Sequence, residues 1–350
     1  MARCTFNTAR TRCTFVLAAV VSMLAALVTG CAGHSSAAEI VVYDGHDHRL
    51  TKLWADAFTR QTGIRVVLRT GGEFDLADEI AAEGDRTPAD VYLAGNSPAL
   101  AKLDRAGRFS PLDPATLAHT PAWMRPSTGR WTAVAARSAI LAHDPVRLPA
   151  DQLPGSLLDL AQPQWRGRWS VDPRGVDFQT LVAGVLALDG PDVTRAWLRG
   201  VKDTVLVPPG AVGPLESVGA GHVDSAVVFD TEWYRDRIAP ARVGGTSVPS
   251  YFGARDPGAL LSLSGAAVLK SSKNSASAQR FVEFVTDIGG QSLLSGRAAM
   301  EYPVLAGVPA DPALPPLDSL RPPHPDLSRL DPDQAKALVR EAGLLPPSGN

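Results

Sequence analysis

A chain of 350 residues exceeds one comfortable hydrophobic core, so two domains or lobes are expected. Hydrophobic residues make up 45% and charged residues 20%, the mix of an ordinary globular protein. The net charge is −2, with Lys and Arg scattered rather than clustered, so nothing points to nucleic acid or another polyanion.

The N-terminus carries an export address. Arg3, Arg10 and Arg12 form a positive region, and Phe15 to Val28 is apolar but too short for a comfortable membrane span. Val28-Thr29-Gly30-Cys31 closes it. Small residues directly before a cysteine resemble a bacterial lipobox, in which residues 1–30 are removed and the Cys31 thiol carries lipid. The plainer alternative is a signal peptide with an incidental cysteine. Arg10 and Arg12 are not adjacent, which argues against twin-arginine export. Cys4 and Cys13 lie inside the signal, so the mature domain would have no disulfide, thiolate metal site or cysteine nucleophile. Residues 31–38 read as a small polar tether, giving a soluble domain anchored at a membrane surface.

The mature chain opens on Ile40-Val41-Val42-Tyr43, a β-branched and aromatic run that reads as a buried strand. It stops at Asp44-Gly45, and His46, Asp47 and His48 follow at once. Leu50, Leu53, Trp54, Ala57 and Phe58 then mark one face of a helix closed by Gly63. Ligands of open α/β sheets sit beyond the carboxyl ends of strands, so this strand delivers two imidazoles and a carboxylate to the expected binding edge. A strand over 64–68, a helix over 74–82 and a strand over 89–93 continue the alternation, which calls for a parallel sheet with helices on its faces. A short helix over 100–106 ends at Gly107. The long strand candidate 131–142 could run from one lobe into another.

Beyond residue 153 the pattern restarts: helices over 178–188 and 194–200, a strand over 205–207, a helix around 212–218 and a strand over 225–229. Residues 260–269 form a second long strand-like segment, a plausible return crossing. A helix over 276–285, a proline-rich connection over 303–325 and a last helix over 333–342, ended by Gly343, complete the chain.

Several stretches coincide with one family. They are Val42 to Gly45, Thr62 to Ile64, Glu83 to Val91, Trp165 to Gly167, Asp256 to Lys270, Ser272 to Asn274, Ala278 to Phe281, Glu301 to Pro303 and Glu341 to Leu344. Collinear over Glu39 to Leu344, they make the chain resemble the bacterial ferric-ion substrate-binding proteins of ABC importers. The resemblance implies the α/β type II periplasmic-binding fold: two lobes, mixed sheets with flanking helices, and two hinge-crossing strands near Ala133 to Ile140 and Leu260 to Ala267. Lobe 1 would comprise 39–135 and 259–308, and lobe 2 would comprise 136–258 and 309–350. It also implies an ABC permease as partner, a monomer in solution, and a transported metal ion, iron above all, in place of any resident cofactor.

Ferric members bind iron through a histidine after the first strand, a glutamate after the third and two adjacent tyrosines. Those positions fall here on Asp47, Gly95, Thr231 and Glu232, with Trp233 and Tyr234 following as the motif requires. The scaffold therefore matches and the ferric ligand set does not. Three ligand readings follow. A reconfigured metal site would use His46 or His48, Asp47 and Glu232, with Asp230 or Tyr234; His48, Asp47 and Glu232 are the foremost metal candidates. Neighbouring side chains on extended backbone point to opposite faces, so at most two of His46, Asp47 and His48 could serve one ion. Against this, both imidazoles could simply make turn contacts in an exposed loop.

A metal-free site for a small organic acid or phosphonate would use Arg174 as a bidentate clamp, with Thr231 donating and Trp233 as an apolar wall. Arg174 could equally be a surface charge, and Trp165, Trp169 and Trp233 read first as core. Asn96 joins the first-lobe edge in either case. The third reading, a metal-dependent hydrolase, rests on Asp44-x-His46-x-His48 and lacks later metal-binding histidines. Ser262-Leu263-Ser264-Gly265 also lacks the glycine that a nucleophile elbow requires.

Overall fold

The computed structural model describes Met1 and residues 38–297 and 299–346. Everything from Glu39 onward belongs to one compact unit. The expected signal and tether, including Cys31, lie outside the described residues except for Met1 and Ala38. Among those described, no helix is long and apolar enough to cross a membrane.

The chain from Glu39 to Arg105 forms as its periodicity requires. Strand β1 (Glu39–Gly45) leads into helix α1 (His48–Thr62), which Asp47 caps at its start and Gly63 ends with φ 73°. Strand β2 (Arg65–Thr70), helix α2 (Glu73–Glu83), strand β3 (Val91–Ala94) and helix α3 (Ser97–Arg105) follow. β1 pairs in parallel with both β2 and β3, which sets the tips of β1 and β3 side by side with Gly45 opposite Ala94. The buried stripe of α1, with Trp54 and Phe58, packs under this sheet against helix α6 (Ser275–Thr286), and Phe58 meets Phe281 edge to face at 5.2 Å.

One strand joins the two halves of the sheet. β4 (Trp131–His143) pairs antiparallel with β8 (Leu261–Val268) from Trp131 to Ser138. From Ala139 onward it pairs instead with β6 (Ser225–Phe229), and from Ile140 also with β7 (Val248–Tyr251). The short β5 (Trp169–Ser170) completes the order β2-β1-β3-β8-β4-β6-β5, with β7 on β4. The sheet is thus mixed, parallel only at its two ends.

Three expectations are corrected. Residues 205–207 do not form a strand: only Leu206 bridges to Ser170. The separate helices over 178–188 and 194–200 are arms of α4 (Val176–Thr204), broken where Gly190 adopts φ 82° before Pro191. Neither β5 nor β7 was anticipated, because two to four residues are too few to display a period. Helix α5 (Asp230–Ile238) follows β6 directly, and helix α7 (Pro332–Glu341) closes the chain against α4.

Gln291 fastens the crossing strand to the later chain. Its side-chain amide donates to the carbonyls of Val134 and Val285 at 2.7 Å, and its Oε1 accepts from the N–H groups of Val304 and Leu305. The residue is fully buried. Replacing it with leucine strands several backbone groups, each worth about 1–3 kcal/mol when left unsatisfied. Gln291→Leu is therefore expected to lower unfolding stability by about 3 kcal/mol in urea titrations, whereas a loss below about 0.5 kcal/mol would mean that the strand does not depend on this clamp.

Candidate functional site

A cavity of about 350 Å³ opens at the tips of β1 and β3. Gly45, His46 and Asp47 line it from the β1–α1 turn, Glu73 from the start of α2, and Gly95 and Asn96 from the end of β3. Arg137 of β4, Val176 and Asp177 at the start of α4, Arg235 of α5 and Glu301 complete the wall. A second cavity, of about 230 Å³, adjoins it through Val176 and Asp177 and is lined by Phe178, Val227, Val228 and Glu232 among others.

The turn after β1 is held by Asp44, fully buried. It accepts from the His46 N–H at 3.2 Å and the Thr51 hydroxyl at 2.8 Å, and its Oδ2 stands 3.2 Å from His48 Nδ1. These contacts separate the two histidines. His46 turns inward: its ring stacks on Trp54, its Nε2 meets Glu301 at 3.1 Å, and its Nδ1 is buried without a partner. His48 turns outward, half exposed, to Asp44 and the Thr70 hydroxyl, and lines neither cavity. Asp47 lies between them. It caps α1 through the N–H groups of Arg49 and Leu50, and its Oδ2 takes Arg235 at 2.8 Å. Burial pushes the Asp47 carboxyl up, but Arg235 and Arg49 with the helix N–H groups outweigh it, and its pKa falls below the usual range.

The opposing groups are likewise paired by charge. Arg137 donates through Nη2 to the Gly95 carbonyl, to Asn96 Oδ1 at 2.9 Å and to Asp177 at 3.3 Å, and its guanidinium lies over the Phe229 ring. Arg235 reaches the Ala299 carbonyl and stands 3.7 Å from Glu301. Glu73 is buried, which pushes its carboxyl up to about 7 even though Asn96 and Arg137 pull it down; the Asp177 charge adds to the rise. Glu232 is exposed and lines the second cavity, where protein atoms crowd its carboxyl. That crowding, then the Asp177 charge, lifts it to about 7.

His46, Asp47 and Asn96 line the first cavity together, and Glu232 lines the adjoining one. Other expectations are corrected. Arg174 is exposed and folded back on Asp172 at 3.0 Å, a local pairing two residues apart, so it clamps nothing in the cleft. Thr231 is buried, with its hydroxyl donated to the Met300 carbonyl at 2.8 Å. Tyr234 packs edge-on against Trp233 and lines neither cavity. Trp165 and Trp169 are core, while Trp233 is half-buried and donates to Ser247. Glu73, Arg137, Asp177, Arg235 and Glu301 were not foreseen. Their partners lie up to 255 residues away, so no local pattern marks them. Only Glu301 stood inside a stretch singled out for resemblance.

The His46–Glu301 pair sets a pH window. Burial lowers the His46 pKa, but the charge and hydrogen bond of Glu301 override it, and the net pKa rises above 6.5. Burial raises Glu301, but the charge and hydrogen bond of His46 with Arg137 and Arg235 hold it below 4.5. The raised histidine stabilises the fold below 6.5 and loses that contribution as pH climbs through its folded pKa. The depressed glutamate stabilises above 4.5 and loses it as pH falls. Glu301→Gln should therefore cost most between those limits, about 3 kcal/mol, with the deficit shrinking as pH climbs through the folded pKa of His46. Melting curves of both proteins from pH 5 to 8 check this, and a pH-independent deficit would contradict it.

Known proteins resemble the chain over nearly all of this structure. Residues 86–326 match a family described as bacterial extracellular solute-binding proteins. The Fe(3+)-binding periplasmic protein of Serratia marcescens is 41% identical over 91% of this chain and 94% of its own. The major ferric iron-binding protein of Neisseria meningitidis is 33% identical over 92% and 98%. Among solved structures, iron-bound HitA from Pseudomonas aeruginosa superposes with a TM-score of 0.79 at 36% identity, over 87% of this chain and 99% of that one.

Proposed function

The chain belongs to the bacterial extracellular solute-binding proteins, and from that premise we propose that it captures iron(III) outside the cytoplasm for an ABC permease. It is a binding protein, not an enzyme, on the α/β fold of type II periplasmic binding proteins. The iron reading is supported by the names of its relatives and carried by one feature of the cleft. Carboxylates face it from both sides: Asp47 beside β1, and Asp177 and Glu232 on α4 and α5.

Iron(III) is a hard cation that favours anionic oxygen. In this chain carboxylates would do what adjacent tyrosines do in ferric members. Among the described residues no three His, Cys, Asp or Glu side chains stand close enough to hold an ion. The donors would be drawn together as 39–135 with 259–308 closes on 136–258 with 309–350, bending where β4 and β8 cross. Contacts that exist only in the closed form make the ligand shift the population towards it. Loading would exchange Arg235 for the metal at Asp47. His48, tied to Asp44 and Thr70, takes no part in this scheme.

A second reading keeps the cleft and changes the cargo. Arg137 and Arg235 bring two guanidinium groups to the same cavity, which suits a small carboxylate or phosphonate without metal. Differential scanning fluorimetry separates the two. Iron(III) at a hundred times its dissociation constant should add about 2.7 kcal/mol of stability and raise the melting temperature. No response to iron, with a rise on adding a carboxylate or phosphonate in the presence of chelator, would replace iron by the organic anion.

Anchoring through lipidated Cys31 completes the proposal. Cys31→Ser is expected to move the protein from the membrane fraction to the soluble one, and retention at the membrane would refute the anchor.

A further inference from the structure

Two glycines make room for one side chain in the cleft. A Cβ on Gly45 would stand 2.8 Å from both Cα and Cβ of Glu73, closer than real Cβ atoms approach. A Cβ on Gly95 would stand 3.2 Å from Glu73 Oε2 and 3.8 Å from His46 Cα. Neither glycine has a positive φ, so space rather than backbone freedom accounts for both. Any larger residue at 45 would push the start of α2 away from the tip of β1. One at 95 would displace the carboxylate.

The group so accommodated is only lightly used by the protein. Glu73 is 4% exposed, yet among the described residues only Asn96 donates to its carboxylate, through its side-chain amide at 3.1 Å with its backbone N–H nearby. Arg137 spends its Nη2 on Gly95, Asn96 and Asp177 instead. On the same wall the His46 side chain is 2% exposed, and its Nδ1 has no partner while Nε2 is oriented by Glu301. An imidazole fixed by a carboxylate through one nitrogen and free at the other is how ligating histidines are usually held. Buried polar groups normally find partners, so a lightly bonded carboxylate and an unbonded imidazole nitrogen in the lining of one cavity call for a cation there.

We propose that Glu73, seated between Gly45 and Gly95, joins Asp47 as a second carboxylate through which the β1–β3 side of the cleft binds the metal. This rests on the iron reading above and assigns a ligand that the motif positions do not contain. The glutamate expected at position 95 is absent, and a carboxylate reaches the same place from α2.

The test is ferric nitrilotriacetate titrated into the purified protein, with iron retained after desalting as a second readout. Glu73→Gln keeps size and an oxygen but loses the charge, and should weaken iron binding at least tenfold with an iron-free melting temperature within a few degrees of the parent. Gly95→Ala leaves every charge in place but crowds Oε2, and should weaken binding in the same direction. The exchange Glu73→Gly with Gly95→Glu returns a carboxylate to that point from the end of β3, and should recover affinity to within a few-fold. A parent that binds iron and a Glu73→Gln variant that binds it equally well would overturn this assignment alone. A parent that binds no iron would overturn the cargo reading and this assignment together.

Discussion

The thirteen residues of β4 belong to both halves of one sheet, and the cleft exists because of that sharing. From Trp131 to Ser138 the strand is bonded to β8, and through β8 to β3 and β1. From Ala139 to His143 it is bonded to β6 and β7. A strand buried along nearly its whole length can bend only where its partners change, because elsewhere each N–H and C=O would have to leave a hydrogen bond without water to replace it. The change of partner falls beside Arg137 and Ser138. Asp230, at the head of α5, accepts the Ser138 N–H at 3.1 Å and so fastens the second half to that same point. The fold thus puts a guanidinium, the least titratable of charges, on a strand common to both walls.

That placement governs the electrostatics of the cleft. Arg137 and Arg235 are shared among Asp47, Asp177 and Glu301, and His46 leans on Glu301. Each pairing crosses between chain segments remote in sequence, and each leaves a neighbour short of positive charge. Glu73 and Glu232 are two so left: burial lifts Glu73 towards neutrality, and crowding by protein atoms lifts the exposed Glu232. A cleft whose fixed cations are already committed, and whose remaining carboxylates lie on opposite walls, is suited to a multivalent cation more than to a further anion. This is why the carboxylate reading is placed ahead of the organic one, despite two arginines in the wall.

How much of this could be read beforehand follows from the range of each interaction. α1 was legible because Leu50, Trp54 and Phe58 repeat at helical spacing and Gly63 stops them, all within fifteen residues. β4 and β8 were legible as crossings because both runs are unusually long and apolar. An interruption between 188 and 194 was legible, although the helix resumes at once beyond Gly190-Pro191. The site was legible only where the backbone itself delivers it, at the tips of β1 and β3. Arg174 looked like a clamp, but Asp172 two residues away captures it first. Glu73 was passed over, because the helical pattern in the sequence starts only at residue 74. Its role depends on Gly45 and Gly95, one 28 residues before it and the other 22 after, and no periodicity relates them. Gly95 itself appeared as a lost ligand, whereas in three dimensions it is space for a ligand arriving from elsewhere.

The central claim is that one metal ion sits between walls contributed by both halves of the sheet. Anomalous diffraction at the iron absorption edge, from crystals grown with ferric nitrilotriacetate, tests it directly. The account predicts a single strong peak in the cleft, within coordination distance of at least one carboxylate from the β1–β3 side and one from α4 or α5. A peak bound by one half only, or confined to exposed side chains such as His48, would contradict it.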